Sequence, residues 1–151
     1  MGKIWRYKNV FVFEIPNKKR FLIVRPGGIY LSSYAPRGSA DSFCMYLRKR
    51  FSGKVVKGVE QIGSDRIVKL KFEDLDIIFE LFGTGNVIVV DKEGKIKKAF
   101  VEREWSTRKI AKGETYSPPP SLDWLALKPG DVVKLIRNKK KAEIAKMLGL
   151  G

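Results

Sequence analysis

Short apolar runs separated by turn residues dominate the chain from Lys3 to Asp91. In RIVKLKF, residues 66–72, apolar side chains largely alternate with basic ones, as in a strand with one buried face. Links such as PGG, GSD, EDL, GTGN and KEG are too short for helical crossovers, so an antiparallel meander is favoured over parallel βαβ winding. The predicted strands are NVFVFEI (9–15), RFLIV (20–24), IYLSSY (29–34), KVVKGVEQI (54–62), RIVKLKF (66–72), DIIFELF (76–82), NVIVVD (86–91) and KIKKAFVE (95–102). The predicted fold class is α+β, mostly antiparallel sheet with polar side chains facing outward.

One helix is predicted in the first half of the chain, in SADSFCMYLRKRF, residues 39–51. Ser39 or Asp41 can cap its N-terminus, and Gly53 can end it. Its apolar side chains follow helical spacing, at positions 43, 46, 47 and 51.

The pattern changes after Glu102, where an irregular segment with a run of prolines extends to residue 124. Two short helices are predicted beyond it, in PGDVVKLIRN (129–138) and KKKAEIAKMLG (139–149). We therefore expect a β-rich domain at residues 1–128 and a short helical extension at residues 129–151.

The net charge of the chain is the feature of its composition that bears most on its function. The chain has 31 Lys and Arg against 16 Asp and Glu, a formal net charge of +15. Such an excess favours a polyanionic partner, since cations that contact phosphates release counterions. The alternative is a soluble protein that is merely basic. The N-terminus MGKIWRYKN lacks an apolar signal region, and no apolar run is long enough to cross a bilayer, so we expect a cytoplasmic protein with no membrane partner.

The chain lacks the residues that most catalytic chemistry requires. Histidine is absent and Cys44, set among apolar residues in SFCMYL, is the single cysteine, so we expect it to be buried rather than reactive. The acidic cluster EDLD, residues 73–76, is predicted to be a solvated turn rather than a pair of catalytic carboxylates. GTGN, residues 83–86, lacks the continuation of a phosphate-binding loop. We therefore expect no enzymatic activity, no catalytic or metal-binding residue and no cofactor.

The basic residues group in three regions. Arg48, Lys49 and Arg50 surround the C-terminal turn of the predicted helix, with Arg48 and Lys49 expected to be the better exposed. The others lie at residues 103–112 and near the end of the chain, at Arg137 and residues 139–141. Two regions on one face would form a track for phosphates; otherwise they are scattered solvated surfaces. The aromatic candidates for base stacking are Trp5, Tyr7, Trp105, Tyr116 and Trp124, although aromatic side chains in a small domain more often belong to the core.

An acid stands directly before an arginine in SDRI, where Asp65 and Arg66 precede a predicted strand. The planar guanidinium of Arg66 suits a phosphate or a guanine edge, and Asp65 can orient it or accept a hydrogen bond from an amine of a base. An acceptor of this kind discriminates bases, whereas a purely cationic surface binds every phosphate alike. The alternative is an exposed ion pair at a capped turn, worth less than about 1 kcal/mol.

The order of several motifs resembles the N-terminal domain of the NFACT family, also known as fibronectin-binding protein A-like proteins. The motifs are FCMYLRKRFSG, VEQIGSDRIVKLKF, FELFGTGNVIVVD, YSPPP and the final KMLGLG. The resemblance covers the chain from about Asn9 to its end.

This resemblance implies a tRNA-binding factor that sits on an obstructed large ribosomal subunit and promotes untemplated tailing of the stalled chain. The family's aspartate-arginine pair, an element of tRNA engagement, falls on Asp65 and Arg66. The resemblance also implies a sandwich-like fold similar to the N-terminal domain of formamidopyrimidine-DNA glycosylases. Their catalytic N-terminal proline and glutamate are not matched by MGKIWR, so that activity is not implied.

Two departures limit what the resemblance implies. The chain opens near the family's first strand, without the usual preceding helical segment, and stops where the family's helix-hairpin-helix would begin. We therefore expect either a fragment, whose further partner is the remainder of an NFACT chain, or a stand-alone relative. The competing hypothesis is a protein-interaction module, including the matrix adhesion that the older family name suggests.

Overall fold

The computed structural model describes residues 1–16, 18–62 and 66–119. Within these ranges the chain forms one α-helix and eleven strands. In chain order they are β1 (Ile4–Tyr7), β2 (Val10–Ile15), β3 (Arg20–Arg25), β4 (Gly28–Ser32), α1 (Ser42–Phe51), β5 (Gly58–Gln61), β6 (Ile67–Lys71), β7 (Leu75–Glu80), β8 (Asn86–Asp91), β9 (Ile96–Ala99), β10 (Arg103–Glu104) and β11 (Lys109–Ile110). The predicted α+β class is confirmed, whereas β1 was missed. The predicted helices at 129–138 and 139–149, and the domain boundary after residue 128, lie outside the described residues.

Two antiparallel meanders face each other. Strands β1–β4 form a four-stranded sheet in chain order, and β5–β9 form a five-stranded sheet in chain order. Phe13 of β2 and Phe79 of β7 are buried, with ring centroids 5.5 Å apart, so the two sheets share one core. Helix α1 contributes to this core through Phe51, whose ring lies 4.7 Å from that of Phe72. The second layer expected from the strand pattern is therefore present.

The limits of α1 follow its capping residues. Asp41, not Ser39, is the N-cap, and its Oδ1 accepts a hydrogen bond of 2.9 Å from the Cys44 backbone N–H. Ser39 instead pairs through its backbone with Arg6 of β1. Gly53 follows the C-cap with a φ of +76°, which the missing Cβ makes accessible.

The five-stranded sheet is covered on both faces, which corrects the expectation of a polar outer face. Residues 103–117, expected to be irregular, contain the short hairpin β10–β11, and Ile110 packs against the outer face. In β7, five of the six residues are buried. The apolar residues of this second cluster are Ile67, Ile78, Ile88, Val90, Ile96 and Ile110. A strand buried on both faces loses the alternation that marks a solvated surface.

The acidic turn was only partly predicted. Glu73 and Asp74 are exposed, but Asp76 is buried, so the prediction of a solvated turn is wrong for Asp76. Its Oδ1 lies 2.7 Å from Nζ of Lys92, and Nζ of Lys69 lies 3.8 Å from its Oδ2. Lys69 of β6 and Lys92 of the β8–β9 turn therefore compensate the buried charge. In the part of the chain that the structure describes, no helix is long and apolar enough to cross a membrane.

Candidate nucleic-acid interface

Arg66 lies at the entrance to β6 and is exposed to solvent. Its backbone carbonyl accepts a hydrogen bond of 2.8 Å from the Leu81 N–H, and the next residue, Ile67, pairs with Glu80 of β7. The neighbouring strand thus fixes the backbone of Arg66 and leaves its side chain accessible. Asp65 lies outside the described residues, so its partnership with Arg66 stays a prediction.

The basic residues of α1 divide into two kinds. Lys49 and Arg50 are exposed, whereas Arg48 is only partly exposed, and its Nε donates a hydrogen bond of 2.8 Å to the carbonyl of Ile4. The expectation that Arg48 would be better exposed than Arg50 is therefore wrong. Arg48 ties the helix to β1, since one face of this terminal turn packs against the four-stranded sheet.

A basic groove runs between α1 and β9. The guanidinium carbon of Arg50 lies 5.2 Å from the centre of the Tyr46 ring, and Nζ of Lys98 lies 5.4 Å from it. Lys97 and Lys112 also line the groove beside Tyr46. Two of the three predicted basic regions, the helix and residues 103–112, therefore meet on one surface.

The acids that line the groove are already engaged. Asp41 caps the helix, and its Oδ2 lies 2.6 Å from Nε of Arg6. Burial opposes ionisation, but the hydrogen bonds from the Cys44 N–H and Arg6 outweigh it and lower the pKa of Asp41. Glu102 accepts a hydrogen bond of 2.9 Å from the Lys112 backbone N–H. Both carboxylates are therefore committed to the protein, and the lysines that surround them face the groove.

Arg66 and the helix cations are not brought together. Lys49 and Arg50 line a second groove with residues 72–75, which follow β6, whereas Arg66 precedes β6. At about 3.3 Å per strand residue, the six positions from Arg66 to Phe72 span roughly 20 Å. A ligand that contacts both sites must therefore be large, as a folded RNA is.

Arg108 belongs to a buried cluster that the sequence did not reveal. Arg108 belongs to the predicted basic region at residues 103–112, yet its side chain is only 3% exposed and pairs with the equally buried Glu80. Tyr116 donates a hydrogen bond of 2.8 Å to the same carboxylate. Burial, followed by the charge of Glu80, strongly raises the pKa of Tyr116. The available signal was Glu80 itself, an acid within the apolar run IIFELF.

A match to a family model identifies the protein family to which this chain belongs. Residues 25–149 match the model described as NFACT N-terminal and middle domains. The chain belongs to the NFACT family. The matched region begins in β3 and includes α1, Arg66, both grooves and the buried Glu80 cluster.

Curated relatives of this NFACT chain are much longer than it is. It is 40% identical over 83 residues to the archaeal Rqc2 homolog aRqcH of Methanocaldococcus jannaschii, covering 52% of this chain and 12% of the relative. It is 32% identical over 127 residues to the ribosome quality control complex subunit NEMF homolog of Drosophila melanogaster, covering 75% of this chain and 12% of the relative. The chain thus spans about an eighth of each of these relatives.

Solved structures show the same fold. The N-terminal part of the fibronectin/fibrinogen-binding protein from Streptococcus suis matches with a TM-score of 0.69 and 26% identity, over 80% of this chain and 54% of that one. The fibrinogen-binding protein from Staphylococcus aureus matches with a TM-score of 0.63 and 23% identity, over 80% of this chain and 49% of that one. The NFACT chain therefore spans about half the length of each solved structure.

Proposed function

We propose that this chain is a non-enzymatic RNA-binding domain that engages tRNA on a stalled large ribosomal subunit, in cytoplasmic ribosome-associated quality control. The Drosophila melanogaster relative is named a ribosome quality control complex subunit NEMF homolog, and the Methanocaldococcus jannaschii relative is named an Rqc2 homolog. Among the described residues, no group of histidine, cysteine and acidic side chains is arranged to hold a metal ion.

The basic groove between α1 and β9 carries the proposal. Arg50 and Lys98 approach one tyrosine from two elements, and Lys97 and Lys112 extend the cationic surface beside them. Closely spaced cations on a chain with a net charge of +15 suit the binding of a phosphate backbone. A tyrosine at the centre holds the cations through cation–π contact and leaves their charge undiminished.

Discrimination among RNA surfaces is assigned to Asp65 and Arg66. Arg66 is exposed on a backbone that β7 holds in place, which suits recognition by a planar guanidinium. Of the three helix cations, Lys49 and Arg50 contact phosphates, and Arg48 contributes mainly by fixing the helix. The two sites together would engage separate parts of one folded RNA.

A salt-dependent titration of purified tRNA tests this function. The double variant Arg50→Gln, Lys98→Gln is expected to bind more weakly and to reduce the slope of log K against log salt by about 0.7 to 0.9 for each lost phosphate contact. Lys18→Gln, together with Lys19→Gln, removes the same charge from the exposed β2–β3 turn and serves as the matched control. Equal affinities for the two double variants, or no tRNA binding by the parent chain at low salt, would refute the proposal.

The structural neighbours favour one alternative. Both solved relatives are named for binding fibronectin or fibrinogen, which supports a protein-interaction module of adhesin type. Capture of fibronectin or fibrinogen that persists after nuclease treatment and in high salt would support this alternative. Loss of that capture after nuclease treatment would support the RNA-binding function instead.

A further inference from the structure

Trp105 presents its indole at the surface of the segment that covers the five-stranded sheet. It is 41% exposed, and its backbone N–H donates a hydrogen bond of 2.8 Å to the Arg108 carbonyl across the connection between β10 and β11. The guanidinium carbon of Arg108 lies 4.4 Å from the centre of the Trp105 ring. The indole is therefore backed by a planar cation while much of its surface stays open to solvent.

The cation behind the ring is itself held rigidly. Nη1 of Arg108 donates to Oε2 of Glu80 at 2.7 Å and to the carbonyl of Ser117 at 2.9 Å, and Nη2 donates to Oε1 of Glu80 at 3.1 Å. Both paired side chains are only 3% exposed. An aromatic surface fixed before binding loses little conformational entropy when a ligand covers it.

The ring lies at the end of the sheet that carries Arg66. Glu80, which anchors Arg108, pairs directly with Ile67, the residue after Arg66. Arg103, at the start of the same hairpin, donates a hydrogen bond to the Thr84 hydroxyl in the β7–β8 turn, which is also at this end. Trp105 is thus flanked by arginines on the edge already assigned to RNA recognition.

We propose that Trp105 is a stacking site for an unpaired nucleobase of the RNA that Arg66 contacts. This proposal rests on the RNA-binding function proposed above. A flat, fixed, half-open ring beside cations matches the arrangement by which proteins bind single-stranded RNA, in which bases stack on aromatic side chains and the cations follow the backbone. An exposed ring alone would equally suit an apolar protein partner. Arg108 is buried and paired with Glu80, so it only backs the ring, but the exposed Arg66 at the same end of the sheet favours a ligand that carries both a π-face and phosphates.

Affinity measurements on the full chain test this site. The probes are tRNA and a short single-stranded RNA of mixed sequence, each with the parent chain, Trp105→Ala and Trp105→Phe. Loss of one stacked base is expected to weaken binding by Trp105→Ala roughly 5- to 100-fold, without changing the salt slope, because no phosphate contact is removed. Trp105→Phe keeps a ring and is expected to retain most of the affinity.

Two controls separate stacking from other effects. Tyr34→Ala removes an 83% exposed aromatic beyond β4, and its affinity is expected to match that of the parent chain. An oligomer of the same length with abasic nucleotides keeps the phosphates, so Trp105→Ala and the parent chain should bind it equally. Thermal melting checks that Trp105→Ala is folded, and the retained affinity of Trp105→Phe keeps the test valid if Trp105→Ala is not.

The outcomes distinguish this site from the general function. If the parent chain and Trp105→Ala bind tRNA equally, the stacking site is refuted and the RNA-binding function stands. An equal loss for the abasic oligomer also refutes stacking, since no base is present there. If the parent chain binds neither tRNA nor the oligomer, the RNA-binding function fails and the stacking site fails with it.

Discussion

The carboxylate of Glu80 and the guanidinium of Arg108 form a two-pronged ion pair across 28 residues of sequence, with N–O distances of 2.7 and 3.1 Å. The pair lies beneath the β10–β11 hairpin on the outer face of the sheet, and Tyr116 donates to the same carboxylate. It fastens the covering segment to the strand beside Arg66.

Arg108→Ala is expected to destabilise the fold by about 3 to 5 kcal/mol, because it leaves the buried carboxylate of Glu80 uncompensated. Urea unfolding at neutral pH measures this loss. Lys71→Ala is the matched control, since Lys71 pairs with Glu60 at 2.6 Å but both side chains are more than two-fifths exposed. That change should cost less than about 1 kcal/mol. Equal losses in the two variants would contradict the structural role given to Arg108.

Asp41→Ala is expected to cost about 1 kcal/mol or somewhat more, because it removes both the helix cap and the ion pair with Arg6. Asp41→Asn keeps an acceptor for the Cys44 N–H and should lose less. The measurement is urea unfolding across the acidic range.

The pH dependence of this variant pair follows from the lowered pKa of Asp41. A carboxyl with a lowered pKa stabilises the fold above its unfolded value of 3.8 and loses that contribution as the pH falls through the folded value. The stability advantage of the parent chain over Asp41→Asn should therefore shrink below about pH 4. An advantage that persists unchanged in acid would contradict the assignment.

Arg48 and Arg50, two positions apart, are expected to separate stability from binding. Arg48→Ala removes the hydrogen bond to Ile4 and should destabilise by about 1 to 2 kcal/mol. Arg50→Ala is expected to change stability by less than about 0.5 kcal/mol but to weaken tRNA binding and lower its salt slope. Unfolding and titration of both variants provide the comparison, and the opposite ranking would refute the division of roles along α1.

Cys44 is expected to resist alkylation in the native protein. The residue is fully buried, and this burial, followed by the nearby Asp41, raises the pKa of its thiol to about 11. Because the neutral form is favoured, this contribution to stability is present below the unfolded value of 9.0 and is lost as the pH rises through about 11. Labelling with iodoacetamide at about pH 8, followed by mass spectrometry, should be much slower in buffer than in urea. Equal rates would show that the thiol is accessible.

Local pattern was sufficient for most of the elements, but not for β1 or the β10–β11 hairpin. Strands β2–β9 follow from short apolar runs and tight links, and α1 follows from a cap at Ser39 or Asp41, helical spacing and Gly53. Period and capping act between neighbours along the chain, so they can be read without knowing the fold. The order of motifs also sufficed for the family, which the match over residues 25–149 confirms.

Tertiary packing decided which charged residues are available. Arg48 and Arg108 are the same residue type as Arg50 and Arg66, and each lies in a polar stretch of sequence. Arg48 and Arg108 are engaged only because β1 and β7 pass beside them, and those contacts join residues 44 and 28 positions apart.

The amino-acid sequence alone therefore determined most of the elements, the family and the excess of positive charge. Only the tertiary structure decided that Arg50 of α1 and Lys98 of β9 both contact the ring of Tyr46. It also decided that Arg66, at the start of β6, lies apart from these cations. The physical reason is that burial and ion pairing depend on distances between residues far apart in the chain, which the packing of the covering segment and the helix sets.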